Sequence, residues 1–419
     1  MRILYGQDSE NVIQDPTVKI SLHPGDTRFI KKEKRTVYDF VGFVIHDKET
    51  LAVFPKHYFS ESELSIRNKT GAVKDEDILL LFQVLRKYTE STKSKAKADR
   101  YLGSIEEYES DYPFQAFFDV YDYYTKYGIY FEEEDIVTAG QKGKISWKHT
   151  IQRSNVIVSG GNIVYIPLYS KQKNVKSAFI SDCMIFVINH TIRNSPYFLS
   201  IKPITGQYKE QDFIRNRDYV LRTLYQTRNH IFKDIHKKLV SSLIDFFEEF
   251  DSLKHGGAIH LKINYFDAIW EAMVHKYLND CFAGIEASGD SIVFDETLPK
   301  SPVSFNTATF KIDNSANHFK IKLDHYGIEK GEQYIFDSKY YYKPKELNYK
   351  QFTYNMVIDS LANGTKGIKT YSALLLPGDK GSGLHLDLKK EFGGLKGGTH
   401  QIIEQYLDVK KVMMHYVEG

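Results

Sequence analysis

Short, dense runs of apolar residues mark the beginning of this chain. Val37 to Ile45 and Leu51 to Phe59 are rich in β-branched and aromatic residues and are separated by the polar turn His46-Asp47-Lys48-Glu49, which predicts a hairpin. Near Asp75 the pattern changes to helical. An acidic first turn, Asp75-Glu76-Asp77, precedes apolar Ile78 to Leu85 and closes on Arg86 and Lys87, the polarity that a helix dipole favours. Lys93 to Arg100 is charged and poor in apolar positions, so it reads as a solvated loop or helix end. Phe114 to Tyr130 returns to helical spacing, while Ile145 to Trp147 and Asn155 to Tyr169 read as strands around Gly160-Gly161. After a further apolar run, Ile180 to Asn189, a long helical region is expected from Lys209 to Phe250, with Ile231, Ile235, Leu239 and Leu243 repeating on one drifting face.

From about His255 the order becomes helix (Tyr265 to Leu278), strand-rich block (Ile292 to Tyr342), helix (Asn348 to Ala362) and strand (Tyr371 to Leu376). Strands enclosed by helices predict an α+β or α/β core around a mixed sheet. Three regions follow: a β-rich N-terminal region at 1–205, a helical connector at 206–254, and a C-terminal domain at 255–419.

Composition changes this picture only modestly. A chain of 419 residues exceeds one compact core, and 42% hydrophobic content supports folded domains. The 56 basic and 54 acidic residues nearly cancel, so a nucleic-acid binder must concentrate its positive charge locally or borrow it from a partner. Two cysteines, Cys183 and Cys281, indicate a reducing, cytoplasmic setting without a disulfide framework. The first residues, Met1 to Asp8, lack the apolar core of a signal peptide, and no uninterrupted apolar stretch is long enough to predict a membrane span.

The chemistry concentrates in two adjacent strands. Residues two apart on a strand share a face, so in Tyr334-Ile335-Phe336-Asp337-Ser338-Lys339 the Asp337 and Lys339 side chains point the same way. Asp324 is expected to end the preceding strand, with a turn through Gly327 bringing it opposite Asp337. Two carboxylates and an ammonium then converge, a donor set suited to phosphodiester hydrolysis. The carboxylates bind Mg²⁺, or Mn²⁺ in its place, and the ammonium orients a water or offsets phosphate charge. Glu271, at the edge of an apolar stripe formed by Phe266, Trp270, Met273 and Tyr277, is a further candidate acid and metal ligand. Gln351 and Tyr354, on the helix after the triplet, are placed to touch a substrate backbone, and Lys343, Lys345 and Lys350 add positive charge beside the carboxylates. Acid-x-Lys alone carries little information, since about five such triplets are expected by chance in a chain of this composition. Its weight comes from the apolar strand before it, the preceding Asp and the upstream acidic helix. The bland alternatives are a cross-strand salt bridge, a boundary glutamate and a solvated charged loop.

This order resembles the PD-(D/E)xK nuclease superfamily: a helical acid, an Asp, an Asp-x-Lys, a Gln/Tyr helix and then the apolar strand Ala373 to Pro377. Within it, Ile335-Phe336-Asp337-Ser338-Lys339-Tyr340 and Trp270-Glu271 are most similar to the LlaJI-type restriction endonucleases and the related McrC subunits, over roughly residues 260 to 380. Leu323 stands where a proline is common. Two residues rather than three separate Gln351 from Tyr354, so Lys350 or Asn355 is an alternative occupant of one of those slots.

The resemblance implies a restriction-endonuclease-like core in which Asp324, Asp337 and Lys339 cut double-stranded DNA, with Glu271 in support. It also implies a bacterial phage-defence system in which an McrB-like AAA+ GTPase docks on the N-terminal half, and a second nuclease copy completes double-strand cleavage. The chain has no Gly-x-x-x-x-Gly-Lys-Ser/Thr; its clusters at Gly378 to Gly383 and Gly393 to Gly398 read as loops, so no nucleotide is expected on this chain. One rival reading is a non-catalytic structural or regulatory subunit that keeps the nuclease fold. Another is a histidine-based metal hydrolase using His255, His260 and His275, which lack the spacing of a zinc helix.

Overall fold

The β-branched runs near the start of the chain form a sheet, but its central partner comes from far downstream. The computed structural model describes residues 2–15, 20, 22–46, 49–70, 76–99, 108–110, 112–177, 179–194, 203–205, 210–250, 259–315, 318–363, 368–389 and 400–418. The first segment carries β1 (Arg2–Gln7), a single 3-10 turn (Pro24–Asp26), β2 (Thr27–Ile30), β3 (Arg35–Tyr38), β4 (Val41–His46), β5 (Glu49–Phe54), α1 (Glu61–Thr70), α2 (Glu76–Asp99) and β6 (Tyr108–Ser110). The middle carries α3 (Phe114–Tyr127), β7 (Phe131–Ala139), β8 (Lys144–Ile145), α4 (Trp147–Arg153), β9 (Asn155–Ser159), β10 (Asn162–Ile166), β11 (Tyr169–Ser177), α5 (Phe179–Asn194), α6 (Glu210–Arg215), α7 (Arg217–His230) and α8 (Asp234–Glu249). The last segment carries β12 (Ile259–Ile263), α9 (Asp267–Cys281), β13 (Phe282–Ile285), β14 (Ile292–Phe294), β15 (Asn306–Lys311), β16 (Lys320–Glu329), β17 (Glu332–Ser338), α10 (Tyr349–Asn363), β18 (Lys369–Pro377), β19 (Ser382–Asp387), β20 (Gln401–Leu407) and α11 (Val409–Glu418).

Contacts divide the chain into two compact units, Met1–Asp111 with Leu253–Gly419, and Tyr112–Ser252. Residues far apart in sequence thus share one unit. The reason is β12, which pairs antiparallel with β4 on one side and β6 on the other, giving the sheet order β1-β5-β4-β12-β6. The predicted hairpin is present as the antiparallel pair β4 and β5.

The second sheet of this unit runs β15-β16-β17-β18-β20-β19. Its β17, β18 and β20 are mutually parallel and the remaining pairs antiparallel, which makes it a mixed sheet in an α+β protein. Ile335 and Phe336 of β17 and Leu374, Leu375 and Leu376 of β18 are all buried, as expected for central strands covered on both faces. Helix α9 packs the predicted stripe of Phe266, Trp270, Met273 and Tyr277 inward, and the Trp270 indole donates to the Leu375 carbonyl at 3.2 Å. That bond pins the helix to β18.

In the second unit, α3, α5 and α8 pack through Phe117, Phe186, Phe246 and Phe247, all fully buried. The two-stranded β9–β10 hairpin leaves Val156, Val158, Ile163 and Ile166 exposed.

Several expected boundaries move. Helix α2 runs on to Asp99, and α3 stops at Tyr127, where Gly128 takes a positive φ of 75°. Trp147 begins α4 and does not extend a strand. The long helical region is broken after His230, because Ile231 turns extended and caps α7. Ile231 therefore shares no helix face with Leu239 and Leu243, which are buried on α8. Asp47, Lys48, Asp75, Arg100, Lys209, His255 and the glycines from 393 to 398 lie outside the described residues. Among the described residues, no helix is long and apolar enough to cross a membrane.

Candidate active site

Strand β17 delivers Asp337 to the end of a buried apolar run, leaving the carboxylate only 1% exposed. The ladder continues one residue beyond the strand, with the Lys339 N–H donating to the Leu375 carbonyl at 3.0 Å. This keeps the two-residue alternation intact, and the Lys339 ammonium lies 2.5 Å from Asp337 Oδ2. Asp324 reaches the same spot by a different route from the one expected. Strand β16 does not end there; it runs on to Glu329, and the turn lies at Lys330-Gly331, both with positive φ. Gly327 is inside the strand, where a Cβ would sit 2.5 Å from Val303 Cγ1. His325 pairs with Phe336, which sets Asp324 beside Asp337. On its other side β16 bulges: Asn306 pairs with Tyr326 but Ala308 with Leu323, so Asp324 and His325 together oppose Thr307. Such a bulge re-aims side chains locally.

The electrostatics of the pair are lopsided. Burial first, then the hydrogen bond and charge of Asp337 and the charge of Glu271, lift Asp324 to about 7 against the pull of Lys339. Asp337 moves the other way: burial would raise it, but Asp324 and Lys339, with Lys350, outweigh burial and hold it below its ordinary value. Lys350 Nζ stands 3.6 Å from Asp337 Oδ1. Burial works against the Lys350 charge, yet Asp337 and Asp324 prevail and raise its pKa. Both Asp337 oxygens are buried, and they meet the Asp324 carboxyl and the Lys339 and Lys350 ammoniums. What faces them is charge.

These groups open on a cavity of about 570 Å³. Asp324, Glu271, Lys339 and Lys350 line it, together with Asp8, Arg28, Asp39, Lys56 and Asp267. Glu271 is thus brought to the site, one turn along α9 from Asp267. Gln351 is not at the surface: it is fully buried, and its amide donates to the Ile335 carbonyl and the Ser372 hydroxyl, each at 2.8 Å. Tyr354 packs against the Ile321, Leu323, Ile335 and Ile358 cluster, with the Lys350 ammonium 5.3 Å from its ring centre. Asn355 is buried, and its Oδ1 accepts from His400 Nδ1 at 2.9 Å. Lys343 and Lys345 are exposed and do not line the cavity.

Sequence reasoning missed Asp8, Arg28, Asp39 and Lys56. No local signal marks them, since they come from segments far from Asp324 in sequence that the fold brings to the cleft. The loose histidine grouping also separates. His275 Nδ1 meets His325 Nδ1 at 3.1 Å, and His325 bonds the Ser338 hydroxyl at 2.7 Å. Burial, with His275 adding to it, drives His325 down to about 3, which keeps it neutral. His260 instead stacks on His23 at 4.0 Å, beside Asp26. The buried Lys262 ammonium lies 2.5 Å from Asp26 Oδ1 and 3.0 Å from His23 Nδ1, so this cluster already encloses a cation of its own. A larger cavity, about 680 Å³ in the second unit, is lined by aromatic residues such as Tyr123, Tyr127 and Phe131 and, among the described residues, by no carboxylate.

The fold and cleft describe a mixed-sheet α+β protein with a buried acid, a half-buried one and a lysine gathered at one sheet end. The family model described as LlaJI restriction endonuclease matches residues 40–385, most of the chain, and the protein belongs to that family. No curated protein matches it. Among solved structures, a chain in the refined half-complex from the tetradecameric assembly of Thermococcus gammatolerans McrB AAA+ hexamers with bound McrC is similar, at 13% identity and a TM-score of 0.36. The match covers 99% of this chain and 98% of that one.

Proposed function

We propose that the chain is the Mg²⁺-dependent DNA-cutting subunit of a restriction system, with a PD-(D/E)xK core. In this reading Asp324, Asp337 and Lys339 form the cutting centre and Glu271 supports it. Family membership makes a restriction nuclease the natural class, and one observation carries the finer assignment: the Lys339 ammonium and two unequal carboxyls meet inside a polar cleft. The donor set suits a hard divalent ion, because the carboxyl oxygens are hard ligands and Asp324 lacks enough counter-charge to ionise easily. Bound between Asp324, Asp337 and Glu271, Mg²⁺ or Mn²⁺ would supply Lewis acidity and a more acidic water.

The remaining work falls to the chain itself. Asp337 stays ionised at neutral pH, and Lys339 directs an N–H at the attacking water or at the phosphate oxygen that gains charge. Lys350 offsets the charge of the phosphodiester at the mouth of the cleft. Gln351 and Tyr354 support these groups from behind, through α10. Lys343 and Lys345 carry positive charge on the exposed segment between β17 and α10, available to more distant phosphates.

The division into a docking region (1–205), a connector (206–254) and a nuclease domain (255–419) is kept as the functional layout. It includes an McrB-like AAA+ GTPase as the partner in the cytoplasm and a second nuclease copy for the opposite strand. This partnership rests on the likeness of the Asp-x-Lys strand to McrC subunits and on a sequence without a phosphate-binding loop. The test is plasmid cleavage with Mg²⁺, with and without such a partner, alongside Asp337→Ala. Loss of cutting in the variant is expected; equal cutting by the variant would overturn the assignment.

A further inference from the structure

The segment that leaves the candidate site, residues 340 to 342, is held at two successive outward positions by the N-terminal strands. Tyr340, the residue after Lys339, is buried, with Phe266 against its ring at 5.2 Å. Its hydroxyl accepts the Lys56 main-chain N–H at 2.7 Å and lies in hydrogen-bonding reach of the Asp8 carboxylate. The Lys56 ammonium donates to the Tyr340 carbonyl at 3.3 Å, sits 4.1 Å from the centre of its ring and pairs with Asp8 at 3.4 Å. Two residues on, the arrangement repeats. His57 donates to the Tyr342 carbonyl at 2.8 Å and lies tilted against its ring, centres 4.4 Å apart, while the Tyr342 hydroxyl donates to Glu10 at 3.1 Å. His57 takes a φ of 62°, a conformation uncommon for a side chain of this size, and the two neighbouring contacts fix it there.

We propose that Lys56 is a positioning residue for Lys339: with Asp8 it clamps Tyr340 and so fixes where the Lys339 ammonium stands relative to Asp337. The inference rests on the reading of Lys339 as part of the cutting centre. Among the described residues, Lys56, Asp8 and Phe266 are what meets the chain immediately after Lys339. The ladder bond to Leu375 restrains the Lys339 backbone on one edge only. Lys56 acts on the opposite side, through one residue, on an ammonium whose distance to Asp337 sets how its charge is shared. A displacement of about 1 Å in such a group is enough to cost up to about a hundredfold in rate. The clamp also makes residues usually counted with the N-terminal strands part of the cutting machinery.

The test uses the full chain with whatever partner its cleavage requires. Lys56→Met keeps the aliphatic stem over Tyr340 and removes the ammonium. Tyr340→Phe keeps the ring against Phe266 and removes the hydroxyl. Each is expected to lower the single-turnover cleavage rate at saturating DNA by about tenfold or more, with half-saturating DNA within about twofold of the parent, and Lys56→Arg to recover most of the rate. Weakened DNA binding with an unchanged saturated rate would make Lys56 a substrate contact and overturn the proposal, as would unchanged kinetics. Should the parent chain cut no DNA, the cutting assignment itself fails. Hydrogen exchange across residues 337–342 then decides the clamp: faster exchange in both variants supports it, and unchanged exchange overturns it.

Discussion

Gly42 of β4 lies so close to Leu261 of β12 that a Cβ at position 42 would stand 2.2 Å from the Leu261 carbonyl oxygen. Lys262 Cα would be only 2.7 Å away, and Gly42 itself sits at a φ of 139°. Both strands would have to separate to admit a methyl group. Gly42→Ala is expected to destabilise the unit by about 3 kcal/mol or more, read as a lower urea midpoint, because backbone strain and a backbone clash add together. A midpoint equal to that of the parent would mean that β4 and β12 do not pair in solution as described.

Lys339→Ala separates charge from geometry at the candidate site. Without the ammonium, Asp337 loses the partner 2.5 Å away, and the cleft becomes more negative. The cleavage rate should fall by about 100-fold, the scale of losing one preorganised donor to a developing charge. Divalent-ion affinity, followed by calorimetry, should hold or increase. A variant that loses ion binding as well as rate would make Lys339 a support for the carboxylates and not a participant.

Gln351 reads as a tie between α10 and two strands. Gln351→Leu leaves the Ser372 hydroxyl and the Ile335 carbonyl buried without their donor, which should cost about 2 kcal/mol in denaturant unfolding. The cleavage rate per folded molecule should stay within about twofold. A large drop in rate at unchanged stability would return Gln351 to the role of substrate contact expected from the sequence.

Asp77 supplies a pH signature elsewhere in the same unit. Burial would raise its pKa, but Lys410, Tyr58 and Arg67 outweigh burial and hold it below its ordinary value. Arg67 is 2.5 Å away and Lys410 2.6 Å. A folded pKa below the unfolded one means that the unfolded chain binds the extra proton. This contribution is therefore complete above about pH 4 and disappears as pH falls through the lowered value. Asp77→Asn should cost about 3 kcal/mol near pH 6, with the gap to the parent narrowing at about pH 3. Parallel losses at both pH values would rule out the ion pair as the source.

The candidate site was legible because its logic is local. Alternation on one strand put Asp337 and Lys339 together, and an apolar stripe on one helix placed Glu271 at its edge. Detail failed where a bulge or a close contact decided the path. Gly327 looks like a turn residue, yet Val303 requires a glycine there inside a strand. The break at Ile231 was hidden by a four-residue repeat that continues across it, because apolar spacing does not record where the backbone turns extended. Gln351 carries a polar side chain on a helix next to charged residues, and only the sheet beneath shows that it points inward. Asp8, Arg28 and Lys56 could not have been found at all, since strand pairing between distant segments leaves no local trace.

The bond from Lys339 to Leu375 also fixes an order of events during synthesis. Strand β17 is flanked by β18, which the ribosome delivers later, and β20 follows later still. A chain interrupted before residue 369 has Asp324, Asp337 and Lys339, with β16 beside β17, but lacks the strand that holds the other edge of β17. Unfinished translation products therefore contain the acid pair and the lysine without the assembled site. If the chain cuts DNA as proposed, late assembly is a safeguard for the cell's own chromosome that needs no inhibitor.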